Sequence, residues 1–320
     1  MGYEDLEQKL KECTDDTALV SDVVSFINAN PVPAMSTDFL LLITNYVSRT
    51  TEIGKYDRDF ARVGLAYCRE ALKRNEPLGD ESTRKLYGDT ANLCWYIADL
   101  TRRPAKKLKY LRKAYKYRSK LPVRSQVAAH YCTHGRLANQ IAIELKKTGD
   151  AGALKWFLIA AKNKCKAGEL AESAGAEKTC SYYSSAANRF FDAYQFSMNL
   201  KFLDNAILYA DKGTSFAAER DLANLHLNLG KFFKARYEIL NEKSDWFNAR
   251  HYYGEALNYF STHIDPKSNS LIFPIKKALE ALCAPRTVDH DWQKKKKWVQ
   301  KRHKPEDERK IIEDQLEELS

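Results

Sequence analysis

The sequence predicts an all-α protein, an α-solenoid built from antiparallel helical hairpins. Only 13 Gly and 9 Pro interrupt its 320 residues, which favours long helices over many short strands. Apolar residues recur at helical spacing through almost all of the segment from Leu6 to Leu282. A pattern of small residues with a much longer period lies on top of this amphipathic signal. We therefore expect repeated pairs of helices that share one continuous core.

Four segments carry the repeat, each with a small residue in a first helix and an alanine in a second. The separations within the pairs are 26, 25, 23 and 26 residues, and successive second-helix alanines lie 46, 50 and 46 residues apart. Small residues at such positions let two antiparallel helices approach closely. The pairs are Gly88 with Ala114, Gly135 with Ala160, Ala187 with Ala210, and Gly230 with Ala256. A weaker copy has Gly64 and Ala71 in one helix.

The last copy is the clearest and also carries aromatic residues. It contains Leu225, Leu229 and Gly230, followed by Trp246, Phe247, Ala249, Tyr253, Gly254, Ala256, Leu257 and Tyr259. This arrangement resembles the tetratricopeptide-repeat (TPR) superfamily over Thr83–Phe260, with repeats longer than the usual 34 residues. The resemblance implies a right-handed superhelical solenoid that presents a groove to a peptide or partner protein. The lysine and asparagine positions through which that family binds carboxylates find no match here, so none is carried over.

Helix-start signals delimit the predicted hairpins. Pro104 is expected at the first position of a helix, where its missing N–H costs nothing. Ser36 or Thr37 is expected to cap the helix that follows it, and Ser244 or Asp245 to cap the second helix of the last pair.

The C-terminal part is predicted to begin with a loop over Thr262–Ser270 and a helix over Pro274–Cys283 that caps the array. The predicted organisation is therefore an N-terminal helical cap, TPR-like repeats, a capping helix, and a basic segment followed by an acidic helix. These parts are residues 1–50, 51–265, 266–285 and 286–320.

The most prominent charge feature is the run from Leu100 to Ile143, which holds twelve Lys and Arg residues and no Asp or Glu. Removing those twelve charges from the formal net charge of +10 leaves −2, so the positive character is local. Five lysines spaced 3, 4, 3 and 4 residues apart fall within a sector of about 80° of one helix and span about 21 Å. This lysine row consists of Lys106, Lys109, Lys113, Lys116 and Lys120, with Arg102, Arg103 and Arg112 beside it.

Two interpretations of the lysine row stay open. It is either a solvated face that acidic helices elsewhere in the chain neutralise, or a site for a polyanion or an acidic partner. Candidates for the acidic cover are the first sixty residues, with eleven acidic and five basic side chains, and the segment Glu306–Leu319. Like charges at these spacings repel by about 0.2–0.5 kcal/mol per pair in an isolated helix, which favours a use for the positive surface. Leu108, Leu111, Ala114 and Tyr115 occupy another sector and are expected in the core.

A second basic segment follows the repeats. From Arg286 to Lys304 there are eight basic and two acidic residues. Such clusters are typical of nuclear-localisation signals and nucleic-acid contacts, and also of solvated tails. The presence of Trp292 and Trp298 favours packing on a surface. The candidate binding residues are Lys294, Lys295, Lys296, Lys297, Lys301 and Arg302.

The predicted function is that of a non-enzymatic scaffold or adaptor whose basic face receives a protein or peptide partner of acidic character. One alternative is an RNA-binding subunit of a ribonucleoprotein or nucleic-acid complex, bound through the phosphate backbone and sensitive to salt. Another is an adaptor at anionic membrane surfaces. Tyr110, Tyr115, Tyr117 and Tyr131 interleave with the basic residues and could stack on bases. Tyrosines at helical spacing are more typical of interhelical packing, and we interpret them so.

The sequence carries no recognisable catalytic motif and one metal-like cluster. The sequence has no phosphate loop, dinucleotide fingerprint, nucleophile elbow or kinase motif, so no enzyme activity, catalytic residue or cofactor is predicted. His130 and His134 can share one helix face as zinc ligands require, but Cys132 points about 160° away from both. No metal is predicted there.

Cysteine usage and hydropathy bear on location. The seven cysteines are scattered without a Cys-x-x-Cys pair, which is typical of a reduced interior. No stretch approaches the ~20 apolar residues that cross a bilayer, and the acidic N-terminus does not resemble a secretory signal. The expected location is cytoplasmic, or nuclear if the cluster Lys294–Lys304 is a localisation signal.

Overall fold

The computed structural model describes residues 3–12, 19–29, 35–52, 58–74, 79–121, 127–263 and 266–283. Within these residues the chain forms thirteen α-helices and no strand, which confirms the all-α prediction. The chain divides into two compact units. The N-terminal unit comprises Met1–Val127 and Ile143–Gly149, and the C-terminal unit comprises Ala128–Ala142 and Asp150–Ser320. The domain boundaries predicted at residues 50, 265 and 285 stay predictions.

The N-terminal unit holds six whole helices and the end of a seventh. In order they are α1 (Tyr3–Glu12), α2 (Val20–Ala29), α3 (Thr37–Glu52), α4 (Arg58–Arg74), α5 (Asp80–Asp99), α6 (Pro104–Arg118) and the last turn of α7 (Ala128–Lys147). Helix α3 packs on α1, α4 and α5, and α5 packs on α6. Gly64 lets α4 approach α3 closely, because a Cβ there would lie 2.5 Å from Cγ1 of Val47.

The C-terminal unit begins with most of α7 and continues as a series of consecutive helices. They are α8 (Ala153–Ser173), α9 (Thr179–Ser197), α10 (Leu200–Thr214), α11 (Glu219–Leu240), α12 (Lys243–Thr262) and α13 (Pro266–Cys283). Helix α9 packs on both α8 and α10, α11 on α10 and α12, and α13 on α12. Large side chains such as Phe157, Tyr183, Phe232 and Phe260 are completely or almost completely buried between them.

The predicted repeat pairs fall on consecutive helices, α5 with α6, α7 with α8, α9 with α10 and α11 with α12, so a helical-hairpin repeat fold is confirmed. The predicted close approach of the paired helices is present at some of these small residues and absent at others. A Cβ on Gly135 would lie 3.1 Å from the carbonyl oxygen of Ala160. A Cβ on Gly230 would lie 2.9 Å from the ring of Tyr253 instead of meeting Ala256. A Cβ on Gly88 would meet no atom of another helix within 4 Å, so the prediction of a close approach there is wrong.

The predicted helix starts are correct at two places. Pro104 occupies the first position of α6. Oγ of Ser36 accepts a hydrogen bond from the N–H of Phe39 at 3.3 Å, as an N-cap serine does for the third residue of a helix.

Two predictions at the C-terminal end are wrong. Helix α12 begins at Lys243, so neither Ser244 nor Asp245 is its cap; the carboxylate of Asp245 is buried and bound by an arginine instead. The loop predicted over Thr262–Ser270 is largely helical, since α12 runs to Thr262 and α13 begins at Pro266. Pro274 therefore lies inside α13, because Pro266 already satisfies the preference of proline for a helix start.

Candidate binding surfaces

The lysine row lies on α6 of the N-terminal unit. Lys106, Lys109, Lys116 and Lys120 are exposed, as are the three neighbouring arginines Arg102, Arg103 and Arg112. Within the part of the chain that the structure describes, none of these side chains forms an ion pair with a carboxylate. The opposite sector packs inward as predicted, because Leu111 and Ala114 are completely buried and Leu108 and Tyr115 are half-buried.

Two members of the lysine row depart from the predicted regular helix. Helix α6 ends at Arg118, so Lys120 lies in the turn that follows, with its Nζ 5.7 Å from the ring centroid of Tyr87. Lys113 is half-buried, with its Nζ 6.0 Å from the ring centroid of Tyr110. The helical part of the row, from Lys106 to Lys116, is therefore about 15 Å long instead of about 21 Å.

One lysine of the acid-free run does have a carboxylate partner. Nζ of Lys107 lies 3.2 Å from Oε1 of Glu144, which Lys147 also contacts at 2.8 Å. The side chain of Glu144 is only 6% exposed. Burial acts to raise the pKa of this carboxyl, but hydrogen bonds from Lys147 and Lys107 outweigh it and hold the pKa below its ordinary value. The N-terminal unit thus neutralises Lys107, which lies off the row.

The other candidate residues of the acid-free run do not form a site of their own. Tyr110, Tyr117 and Tyr131 are half-buried, which fits packing better than base stacking. His130 and His134 are buried, with ring centroids 4.7 Å apart. Among the described residues no group of three His, Cys, Asp or Glu side chains could hold a metal ion.

The second basic segment cannot be placed. Its candidate residues, Lys294, Lys295, Lys296, Lys297, Lys301 and Arg302, lie outside the described residues, as does the acidic segment Glu306–Leu319.

Sequence reasoning missed a second basic surface, a groove in the C-terminal unit of about 410 Å³ between α8, α9 and α10. Its floor includes the stacked rings of Phe190 and Tyr209, whose centroids are 5.5 Å apart. Its rim carries three exposed lysines, Lys162, Lys166 and Lys201.

The charge of this α8–α10 groove is mostly unneutralised. Lys166 lies 3.6 Å from Glu169, the one acidic side chain that lines the groove. Lys162 and Lys201 form no ion pair with any described carboxylate. No linear spacing could have revealed this groove, because Lys201 joins the other two only when α10 packs beside α8 and α9.

No helix among the described residues combines the length and the apolar character that a membrane span needs.

Comparisons with known proteins give fold-level similarities of low score. No family model and no curated protein sequence matches the chain. Among solved structures, BtubC (BKLC) from P. vanneervenii is 16% identical, with 82% of this chain and 94% of that chain covered and a TM-score of 0.42. The nuclear import adaptor Nro1 from S. pombe is 15% identical, with 85% and 96% covered and a TM-score of 0.45. A circular tandem repeat protein is 13% identical, with 99% and 80% covered and a TM-score of 0.34. At these scores the similarities carry no argument about function.

Proposed function

We propose that this chain is a non-enzymatic interaction scaffold of the TPR-like class, whose lysine row binds an acidic segment of a partner protein. The observation that carries the proposal is the selective pairing of lysines on α6. Lys107, which lies off the row, is neutralised by the buried Glu144, whereas the exposed members of the row have no described carboxylate partner. Among the described residues, a carboxylate of the unit neutralises Lys107, and the exposed lysines of the row are the ones that we assign to a partner.

The spacing of the row suits a helical acidic segment. Residues three or four apart on a helix are displaced by about 4.5–6 Å along its axis, and a partner helix with carboxylates at the same spacing has the same repeat. Several exposed pairs acting together contribute more than one isolated surface ion pair, which is worth about 0–1 kcal/mol.

RNA binding is the weaker candidate for the same face. Single-stranded RNA is held by aromatic stacking as well as by positive charge. The tyrosines next to the row, Tyr110 and Tyr117, are half-buried, so α6 offers charge without a free stacking platform.

The α8–α10 groove supports the same class of partner in the C-terminal unit. Its lysine rim would attract acidic side chains, and its aromatic floor would receive an apolar one from the same peptide. The resemblance to TPR proteins supports peptide binding between consecutive helices.

The test is photo-crosslinking with the full-length chain in its native extract. A photo-reactive amino acid replaces Arg112, beside the row, or Lys178, an exposed residue of the C-terminal unit. We expect a crosslinked protein at position 112 that resists nuclease and is lost as salt rises from low to moderate concentration, because exposed charges are screened over about 10 Å at 0.1 M. We expect the crosslink to be absent at position 178.

Charge reversal tests whether crosslinking depends on the lysine row itself or only on the net charge of the chain. The row variant is K106E/K109E/K116E/K120E, and the matched variant, with the same net charge, is K178E/K243E/K276E/K277E; all eight lysines are exposed. We expect the row variant to lose the crosslink and the matched variant to keep it. A product that ribonuclease removes would favour the RNA alternative. Binding of the purified chain to phosphatidylserine vesicles, lost in the row variant alone, would favour the membrane alternative. Equal crosslinking by both variants would refute the proposal.

A further inference from the structure

A thiol and an amine meet in the C-terminal unit. Nζ of Lys164 on α8 lies 2.9 Å from Sγ of Cys132 on α7. Lys164 is only 7% exposed, whereas Cys132 is half-buried, so this residue lies at the border between the core and the solvent. The surroundings are apolar, because Cys132 packs against a cluster formed by Ala167, Ala171 and Tyr182.

The lysine is held against the sulfur by the fold. A Cβ on Gly135 would lie 3.1 Å from Cγ of Lys164, so glycine at this position leaves room for the lysine stem to run along α7. Among the described residues, Lys164 has no carboxylate partner, and Cys132 is its hydrogen-bond partner. A buried ammonium is energetically costly unless a negative group lies beside it, and the side-chain atom in hydrogen-bond contact with Nζ is the sulfur of Cys132.

Other described cysteines differ from Cys132. Burial raises the pKa of Cys68 and Cys165 to about 12 and that of Cys94 and Cys180 to about 11, which keeps these four as unreactive thiols. Cys283 is exposed. Among the described cysteines, Cys132 is the one that combines partial exposure of the residue with an amine in hydrogen-bond contact.

We propose that the pair Cys132–Lys164 is a site of oxidative modification, at which a peroxide drives formation of a covalent sulfenamide bridge between Sγ and Nζ. The oxidant class is hydrogen peroxide or a small organic hydroperoxide. The bridge links α7 to α8 within the C-terminal unit and removes both the thiol and the buried charge. This proposal does not rest on the binding function proposed above.

The chemistry balances in two steps, counted from the thiolate–ammonium form of the pair. In the first, Sγ attacks one peroxide oxygen; an S–O bond forms and the O–O bond breaks. The ammonium of Lys164 gives its proton to the departing hydroxide, which leaves as water. The sulfur is oxidised by two electrons to a sulfenic acid, the peroxide is reduced, and Lys164 is left as an amine.

In the second step the amine attacks the sulfenic sulfur. An S–N bond forms, the S–O bond breaks, and the hydroxide leaves as a second water with a proton from the amine. No further electrons move. Contact between Nζ and Sγ gives the amine a high effective concentration, so it should react before a second peroxide carries the sulfur to sulfinic acid.

Peptide mass spectrometry of the reduced full-length chain, treated with a small excess of hydrogen peroxide, tests the proposal. We expect the peptides of Cys132 and Lys164 to appear as one species, lighter by about 2 Da (two hydrogens) than their sum, and to separate again on treatment with dithiothreitol. In K164M, which keeps the apolar stem, the bridge should vanish and dimedone should trap a sulfenic acid at Cys132. The matched variant K178M, at an exposed lysine of the same unit, should form the bridge as the wild type does.

The wild-type result decides the proposal even if K164M does not fold, and K164R serves as a second variant without a reactive amine. The proposal fails if wild-type Cys132 proceeds to sulfinic acid without a bridge. It also fails if Cys132 stays reduced while Cys283 is oxidised, or if K164M still shows a bridged species.

Discussion

Arg236 binds the completely buried carboxylate of Asp245 through two nitrogens, with Nη2 at 2.7 Å from Oδ1 and Nε at 3.0 Å from Oδ2. Nη1 of the same guanidinium donates to Asp204 at 2.8 Å. One arginine on α11 therefore ties together α10 and α12. The hydrogen bonds that Arg236 donates to Asp245 and Asp204 raise the pKa of its guanidinium, against the opposing effect of burial.

Replacing Asp245 by Asn should destabilise the C-terminal unit strongly. The amide keeps the shape but removes the negative charge, and the guanidinium, 24% exposed, would be left partly buried with Asp204 as its remaining partner. We expect a loss of about 2–3 kcal/mol in the free energy of unfolding, somewhat below the value for a fully buried broken pair. Urea-induced unfolding followed by circular dichroism measures it.

The matched variant is D204N, because Asp204 binds the same arginine but is 56% exposed. We expect D204N to lower the free energy of unfolding by less than about 1 kcal/mol. Equal losses for D245N and D204N would show that burial of Asp245 is not what gives the pair its strength.

Gly168 should not tolerate a side chain. A Cβ there would lie 2.5 Å from Cε1 of Tyr183, whose ring is completely buried and stacked on Tyr209. Gly168→Ala must therefore displace a core aromatic, and we expect a loss of about 1–3 kcal/mol. Thermal unfolding of the full-length variant and of the wild type measures this loss.

Gly88 provides the opposite case. It lies inside α5 with no neighbour within 4 Å, so an added methyl meets nothing. Gly88→Ala should stabilise the protein by about 0.5–1 kcal/mol, because alanine is a better helix former than glycine. If Gly168→Ala also raised the unfolding midpoint, the close approach at Gly168 would be contradicted; if Gly88→Ala lowered it, the open space at Gly88 would be.

The helical hairpins were predictable because their signals are local. Periodicity and the spacing of small residues placed α5 to α12 in the correct pairs. The predictions that were wrong concern residues whose role depends on their tertiary neighbours. Asp245 is a favourable capping residue in isolation, but in the fold its carboxylate accepts hydrogen bonds from the half-buried Arg236. Gly88 and Gly135 have nearly the same spacing to their paired alanines, 26 and 25 residues, yet of the two only Gly135 lies close to its partner helix.

The candidate sites divide in the same way. The lysine row is periodic along one helix and was found from spacing alone. The α8–α10 groove and the Cys132–Lys164 contact join residues from different helices, 32 positions apart in the second case. Their formation depends on the rotation of each helix about its axis, which the spacing of one helix does not determine.

The stability of the fold should depend on pH through the carboxyl group of Glu172. Tyr183 donates a hydrogen bond to its carboxylate and Lys212 lies 2.9 Å away, and these two hydrogen bonds lower the pKa of Glu172 below its ordinary value of 4.5. A carboxyl with a lowered folded-state pKa stabilises the fold above its unfolded-state pKa and loses that contribution as pH falls through the folded value.

We therefore expect E172Q to be less stable than the wild type near neutral pH, with the difference shrinking as pH falls below about 4.5. An NMR titration should show the carboxylate of Glu172 losing its charge at a pH below the ordinary pKa of 4.5. A difference that stayed constant from neutral to acidic pH would mean that the carboxylate charge is not the stabilising feature.

The lysine row should be a source of instability that a single substitution relieves. In K109E the new carboxylate lies three or four residues from Lys106, Arg112 and Lys113, replacing like-charge repulsion by attraction. Each of the three pairs changes from a repulsion of about 0.2–0.5 kcal/mol to an attraction of similar size, so the free energy of unfolding should rise by about 1–3 kcal/mol at low salt. The gain should shrink in 0.5 M salt, where charges are screened over only a few ångströms. K109Q, which removes repulsion without adding attraction, should gain about half as much.

The sign of this change separates the two interpretations of the row. If a partner protein supplies the negative charge, the isolated chain carries unrelieved repulsion and K109E stabilises it while weakening partner binding. If an acidic segment of the chain itself covers α6, Lys109 already has a favourable environment, and reversing its charge creates repulsion with that cover. K109E would then be less stable than both K109Q and the wild type. Urea unfolding of the purified full-length variants at low salt therefore tests, without any partner present, whether the lysine row is available for binding.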